Sequence, residues 1–513
     1  MLKFSIMLLI ILFACSMLAC GEYEPNTQIE CDKLLLPASP TRISPYSEKN
    51  DKPYLSLPPV PDNATGLNVL LIITEDHGPQ SGAYGTPGVS TPNMDRLAQM
   101  GARYSRAYIT VASCSPSKSA MYTGLYNHVT GALLNVPEFF GSHEQLQSEK
   151  PDWFANQNSI YHQMALKTKE PTLIEILKHA GYFTGINNKF HRSPHTRYPF
   201  DRWEKIQKGG PTHYQLVTSF IKEAQKEFKP WFLEHNIQQT HRPWRTPEHL
   251  EINKALIEPP GHLPDTETTR LDWSSYLNSI QLADNQVGQV LEALEDNGEL
   301  DNTLIVMTGD HGMPYHRAKF SVYNLGLHVP LFICAPGIKA GMVLDELFSS
   351  VDILPTLLEF LGLETVGRVD GVSHYPLLVG ISDVTPRNHL VGSFNKDRSI
   401  TDGRYHLIFM PDPEDTKLSS GSKNVVPWGN AVYAHIIENK ATPGFEDAYR
   451  LLDLADHNLP EYTRPRFELY DLFYDPWELI DLSKNPDYAK VLYCMQSLLS
   501  QWMESYEDKC VGP

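Results

Sequence analysis

The sequence predicts an α/β fold, because apolar runs of strand length alternate with helical stretches and the runs break off at charged residues. Two runs carry the prediction. LNVLLIITEDHG, from Leu67, stops at Glu75 and Asp76; NTLIVMTGDHG, from Asn302, stops at Asp310 and His311. Continuous apolar runs of this kind are buried central strands, and ligands of open α/β sheets collect beyond the carboxyl ends of such strands.

Taken in chain order, the first element is Met1–Cys20, where Lys3 precedes the run FSIMLLIILFACSMLAC. It is too short and wrongly flanked for a stable transmembrane helix and reads as an export signal. Residues 21–65 are rich in Pro, Ser and charge, a composition that suits an extended tether. Under a plain secretory signal, Asn63-Ala64-Thr65 is a glycosylation sequon. After the first strand, TPNMDRLAQMGARYSRAY (Thr91–Tyr108) reads as a helical segment.

Next comes SCSPSKSAMYTG, Ser113–Gly124, with Pro116 suited to a first helical turn. A helix N-terminus offers unpaired N–H groups and partial positive charge, and residues four apart share a face, so Lys118 points back toward Cys114. The stretch reads either as a nucleophile held in an anion site or as a small buried cysteine beside a solvated lysine. Two further strand-like segments end in basic residues: GYFTGINNKFHR supplies Lys189 and His191, and PWFLEHNIQQTHRPW supplies His241 and Arg242. Lys319 falls in the loop MPYHRAKFSVYNLG, and VPLFICAPG places Cys334 in an apolar strand, an inert buried thiol.

Glu75, Asp76, Asp310 and His311 form an oxygen-rich donor set suited to one Ca²⁺, or Mg²⁺, rather than zinc. The basic residues after the other strand ends form a pocket for an oxyanion. The 513 residues, 41% of them hydrophobic, suffice for a large core. A net charge of −18 argues against nucleic acid or an anionic membrane as a general partner. Among the seven cysteines, Cys494 and Cys510 flank a short helical stretch and are candidates to pair in an oxidising compartment.

These residues carry a family resemblance. CSPSKSAMYTG resembles the sulfatase signature Cys-x-Pro-x-Arg with its trailing Thr-Gly, and the similarity runs from about Leu67 to Cys510. It takes in SSVDILPTLLEFLGL, DGRYHLI and RPRFELYDLFYDPWELIDL. Within the family, ITVASCSPSKSAMYTGL, TGINNKFH and RPRFELYD most resemble the heparan N-sulfatases, or sulfamidases. The resemblance implies an alkaline-phosphatase-like fold: a large mixed sheet flanked by helices, then a smaller C-terminal domain with an antiparallel sheet and a terminal helix. Its expected spans are 66–385 for the catalytic domain and 386–513 for the C-terminal α+β subdomain.

The resemblance also implies that Cys114 is oxidised to formylglycine by a formylglycine-generating enzyme. Glu75, Asp76, Asp310, His311 and modified Cys114 then bind the cation, while Lys118, Lys189, His191, His241 and Lys319 line the sulfate site. The implied substrate is a sulfated carbohydrate, with N-sulfoglucosamine of heparan or heparin type favoured. The alternatives are an O-sulfatase on another glycan, a phosphodiesterase or phosphonate hydrolase, and an inactive protein that binds sulfated glycans. MLACG resembles a bacterial lipobox with Cys20 as the lipidated residue. That makes a periplasmic or cell-surface lipoprotein the expected location, or a secreted or lysosomal one in a eukaryote; a homodimer is left open. Lys118 stands where the family pattern has Arg, Glu75 where it has Asp, and residues 135–164 are expanded relative to the sulfamidases.

Overall fold

The computed structural model describes Cys31 and residues 64–136, 164–206, 209–244, 252–381, 387–413, 431–455 and 461–510. The expected export signal, Cys20, Asn63 of the sequon, and nearly all of the expected tether and of the expanded stretch 135–164 lie outside the described residues. Among the described residues, no helix is long and apolar enough to cross a membrane.

The main elements run β1 (Asn68–Thr74), α1 (Pro92–Met100), β2 (Ala102–Tyr108), α2 (Cys114–Thr123), α3 (Leu173–His179), β3 (Phe183–Asn187) and β4 (Arg202–Glu204). They continue with α4 (His213–Glu227), β5 (Trp231–Ile237), α5 (Glu267–Asp296), β6 (Thr303–Gly309), β7 (His328–Cys334), β8 (Met342–Ser349) and α6 (Ile353–Phe360). Eight strands form one mixed sheet in the order β4-β3-β5-β1-β6-β7-β2-β8. Strands β3, β5, β1 and β6 are parallel, whereas β7 runs antiparallel to both β6 and β2.

The continuous apolar character of β1 follows from its position. Val69, Leu71 and Ile73 face one core with Leu173 and Leu177 of α3 and Leu354 and Leu357 of α6. Leu70 and Ile72 face the other, with Phe220 of α4 and Tyr276, Ile280 and Val287 of α5. A strand with period-two side chains needs apolar residues at every position once helices cover both faces. Truncating one such residue, Leu71→Ala, costs about 2–5 kcal/mol.

One expected helix is corrected. Thr91–Tyr108 divides at Gly101 into α1 and strand β2. A Cβ on Gly101 would lie 2.2 Å from the Ile333 carbonyl oxygen, so glycine lets the chain turn against β7. Beyond it, Ala102, Tyr104 and Ala107 enter the core while Arg103 and Ser105 stay half-exposed, a strand alternation that helical continuity had masked.

A second sheet follows. Strands β9 (Leu390–Phe394), β10 (Asp397–Thr401), β11 (Tyr405–Phe409) and β12 (Phe467–Asp471) pair antiparallel in the order β12-β11-β10-β9. Helix α7 (Ala489–Ser505) lays Met495, Leu499 and Trp502 on Ile400, Leu407 and Leu469. The smaller antiparallel layer and terminal helix are as the sequence led one to expect.

The cysteines differ from expectation. Cys494 is bonded to Cys31, across 463 residues of sequence, rather than to Cys510. Cys510 is a free thiol, so the expected tether is fastened to α7 at one point. Cys334 is buried, as its apolar strand requires.

Candidate active site

Parallel pairing puts the ends of β1, β5 and β6 level, with Thr74 beside both Ile237 and Gly309. The backbone continues that register: Glu75 N donates to Ile237 O at 3.0 Å and Asp310 N to Thr74 O at 2.9 Å. Asp76 N donates to Asp310 Oδ1 at 2.9 Å. A Cβ on Gly309 would sit 2.3 Å from His77 O, so glycine permits the two acidic turns to cross this closely. Asp76, Asn188, His191, Arg317 and Phe320 all have positive φ around this region. Strained backbone of this kind persists where surrounding packing over-determines it, and it clusters at reactive sites.

Cys114 is the first residue of α2, and Ser113 before it makes no side-chain cap. Asn135 caps in its place: its Oδ1 accepts from Ser115 N and from Ser113 Oγ, each at 2.9 Å. The turn bearing Cys114 is therefore held by the first residue of the expanded stretch. Cys114 Sγ lies 3.4 Å from His311 Nε2. Donor atoms of Asp76, Cys114 and His311 fall within 4.8 Å of one another, as do those of Glu75, Cys114 and Asp310.

The lysines close the cluster from outside. Lys118 and Lys189 each pair with one oxygen of Glu75, and Lys118 Nζ is 3.6 Å from Asp310 Oδ2. Lys319 Nζ donates to both oxygens of Asp76 at 2.7 and 2.9 Å. Lys118, expected to point toward Cys114, thus reaches two carboxylates whose oxygens border its sulfur.

Electrostatics follow from burial and crowding. Burial opposes ionisation of Glu75, but Lys118 and Lys189 outweigh it and hold the carboxyl well below its usual range. Lys319, with His241 and His311, does the same for buried Asp76. Asp310 moves the other way, pushed up by burial and by the charge of Glu75. Burial and the charges of Lys189 and Lys118 keep His191 well below the usual imidazole range. For His241, the Asp76 charge favours the cation, yet burial together with Lys319 and Lys189 brings it lower than usual. Its Nδ1 donates to Arg242 O at 2.6 Å, which fixes the tautomer.

Glu75, Asp76, Cys114, Lys118, Lys189, Asp310, His311 and Lys319 are joined by the contacts above, and His191 and His241 feel the charges of the cluster. Arg242 is the exception among the basic residues after strand ends: its guanidinium is bound by Asp272 and stacked on Trp244, not presented as an oxyanion ligand. Sequence reasoning missed Asn135, Asp272 and the buried trio Tyr122, Arg192 and Glu234. In that trio Arg192 Nη2 meets Glu234 Oε2 at 2.5 Å, and Tyr122 OH donates to the same oxygen. Arg192 follows His191 directly, so the trio anchors the loop that carries Lys189 and His191.

The donor chemistry fits one hard cation. Glu75, Asp76, Asp310 and His311 supply three carboxylates and an imidazole, and buried Asp310 Oδ2 has no hydrogen-bond partner among the described residues.

The Sulfatase family model matches residues 67–363 of the chain. N-sulphoglucosamine sulphohydrolase of Homo sapiens is 26% identical over 497 residues, covering 86% of this chain and 91% of that protein. An ulvan-active sulfatase of Formosa agariphila is 27% identical over 484 residues, covering 86% and 75%. Among solved structures, one in complex with its substrate D-glucosamine-2-N,6-O-disulfate superposes with a TM-score of 0.58 at 18% identity, over 86% of this chain and 98% of that one. That structural likeness supports the fold alone. The matched span opens at β1, closes after α6 and encloses every residue of the cluster, and it covers more than half of the sequence: the chain belongs to the sulfatase family.

Proposed function

We propose that this sulfatase removes sulfate from a sulfated sugar, with the N-linked sulfate of a non-reducing-end glucosamine of heparan or heparin type as the favoured bond. The observation that carries the reading is the single buried cluster uniting Cys114 at a helix mouth, four candidate metal ligands and three lysines. The choice of an N-sulfate rests on the sulfamidase-like motifs and on the human relative's name. The ulvan-active relative, at 27% identity against 26%, supports the second reading, in which the sulfate comes from another glycan.

Glu75, Asp76, Asp310 and His311 would hold one Ca²⁺, and Cys114 would become formylglycine. Together these groups would supply an oxygen nucleophile and a Lewis acid for the sulfuryl oxygens. The chain's own residues do the rest. Lys118, Lys189 and Lys319 bind the anion and offset charge that grows on its oxygens. His241 donates from Nδ1 to Arg242 O, so Nε2 is the nitrogen that takes up a second proton, and it is the resulting imidazolium that delivers the Nε2 proton to the leaving nitrogen or oxygen. His191, buried and within the field of Lys189 and Lys118, is held well below the usual imidazole range and accompanies the anion without adding charge. We propose also that Met1–Cys20 exports the chain.

Two measurements test this. The mass of the tryptic peptide containing Cys114, from the native host, should show the thiol-to-aldehyde change; unmodified cysteine in active protein removes the mechanism. A panel of N-, 2-O-, 3-O- and 6-O-sulfated monosaccharides should release sulfate first from the N-sulfated sugar. Release from an O-sulfated sugar alone leaves the sulfatase standing and discards the sulfamidase.

A further inference from the structure

His241 and Lys319 sit on two different loops, and one carboxylate outside the cluster ties those loops together. Asp272, on α5, accepts from Arg242 Nη1 and Nη2 at 2.9 and 2.6 Å and from the Tyr315 hydroxyl at 2.7 Å. Arg242 follows His241, and Tyr315 precedes Lys319 by four residues. The loops also meet directly: Arg242 Nε donates to Pro314 O at 3.3 Å, and its guanidinium lies 3.9 Å from the Trp244 ring centre and 4.9 Å from that of Tyr315. Both charged side chains are almost wholly enclosed, at 6% and 10% exposure. A forked, buried guanidinium–carboxylate pair fixes orientation as well as position, and losing one partner strands the other.

The Arg242 carbonyl is what holds His241 Nδ1. We propose that Asp272 is a positioning residue for His241: by pinning Arg242 it fixes the carbonyl that binds Nδ1–H, and so aims Nε2, protonated in the imidazolium, at the leaving group. This rests on the reading of His241 as the leaving-group acid. A positioned acid matters in proportion to how badly the leaving group needs a proton. Alkyl amines and sugar alcohols need one; nitrophenolate does not.

The test compares wild type, Asp272→Asn, Asp272→Glu, His241→Ala and the His241→Ala/Asp272→Asn double variant, all calcium-loaded. Substrates are p-nitrophenyl sulfate and N-sulfoglucosamine, or glucosamine 6-sulfate if the panel above selects an O-sulfate. Asp272→Asn should lower kcat on the sugar by about 10–10²-fold, the usual cost of losing a partner one step removed from the reacting groups. It should change kcat on the aryl sulfate less than about threefold and KM little, with Asp272→Glu recovering part of the loss. The double variant should be no slower on the sugar than His241→Ala alone, since both act through one group. Equal losses on both substrates in Asp272→Asn, beside a selective loss in His241→Ala, overturn the inference alone. So does an additive double variant. Equal losses in His241→Ala overturn the acid reading and this inference with it.

Discussion

Two of the buried charge clusters among the described residues are finished differently. At the start of α6, Asp352 Oδ1 accepts from Val372 N at 2.7 Å and from Arg387 Nε and Nη2 at 2.9 and 2.7 Å. Its Oδ2 accepts from Ser349 N at 2.8 Å. At the strand ends, three carboxylates crowd together, Asp310 Oδ2 has no hydrogen-bond partner among the described residues, and burial together with the charge of Glu75 pushes Asp310 up rather than down. A satisfied buried charge serves the fold, and a crowded, partly satisfied one is held ready for a ligand at some cost in stability. The same residue types thus do opposite work, and the difference lies in how many of their hydrogen bonds the protein itself completes.

The largest effect that sharpens this comparison is at Asp310. Asp310→Asn should reduce turnover by at least about 10²-fold, the scale of losing one electrostatic stabiliser. In protein freed of metal by a chelator, the same change should leave the melting temperature level or raise it, because a repulsion with Glu75 is removed. A marked drop in the melting temperature of the metal-free variant would place Asp310 with the structural charges and break the contrast. Metal-free wild type working at full rate would break the metal assignment itself.

How far the site was legible in sequence follows the same division. Glu75, Asp76, Asp310 and His311 stand where two continuous apolar runs end, and Cys114 with Lys118 sits in one short signature, so local pattern sufficed. Asp272 reaches Arg242 across 30 residues and Tyr315 across 43, and Arg192 meets Glu234 across 42. No period or spacing records such contacts; they exist only after helices and strands pack. Asn135 was read as the first residue of an expanded stretch, yet it caps a helix 20 residues earlier, at Ser115 N. Strand β2 was hidden because Arg103, Ser105 and Arg106 interrupt its apolar positions directly after a helix. The pairing of Cys31 with Cys494 spans nearly the whole chain and was beyond any local rule.

The second prediction is the mirror image. Arg387→Leu removes the fork from Asp352 and should cost about 3–5 kcal/mol of stability by leaving a buried charge unpaired. Turnover per folded molecule should not change, since Arg387 touches nothing in the cluster. The acid side of the stability curve offers a companion test. Burial pushes the Asp352 carboxyl up, but Arg387 and His374 outweigh it and bring it to about 2. A carboxyl held below its unfolded value stabilises the fold above that value, and the contribution disappears as pH falls toward the folded one. Denaturant melts of wild type and Asp352→Asn should therefore differ by roughly 2 kcal/mol less near pH 2 than at pH 5. An unchanging difference would show that Asp352 stabilises through its backbone hydrogen bonds rather than its charge.

The smallest and most informative effect concerns the two departures from the family pattern, which turn out to touch. Glu75 stands where Asp is usual and Lys118 where Arg is usual, and Lys118 Nζ is paired with Glu75 Oε1. Glutamate is one methylene longer than aspartate, and lysine ends in a compact ammonium where arginine spreads a planar fork. Each change alone alters the span between β1 and α2; made together, a longer acid meets a slimmer base, and both side chains remain fully buried. Such a pair should be coupled. Glu75→Asp alone should open the contact, and Lys118→Arg alone should crowd a site with no exposed surface, where overpacking costs about 1–3 kcal/mol. The Glu75→Asp/Lys118→Arg double variant should recover part of both losses, with an interaction energy of about 0.5–3 kcal/mol in stability and in kcat/KM. The same cycle measured on formylglycine content separates maturation from catalysis: coupling in kcat/KM at equal modification assigns the effect to the assembled site. Strict additivity in every readout would mean that the two departures are independent, and that their contact carries no share of the site's design.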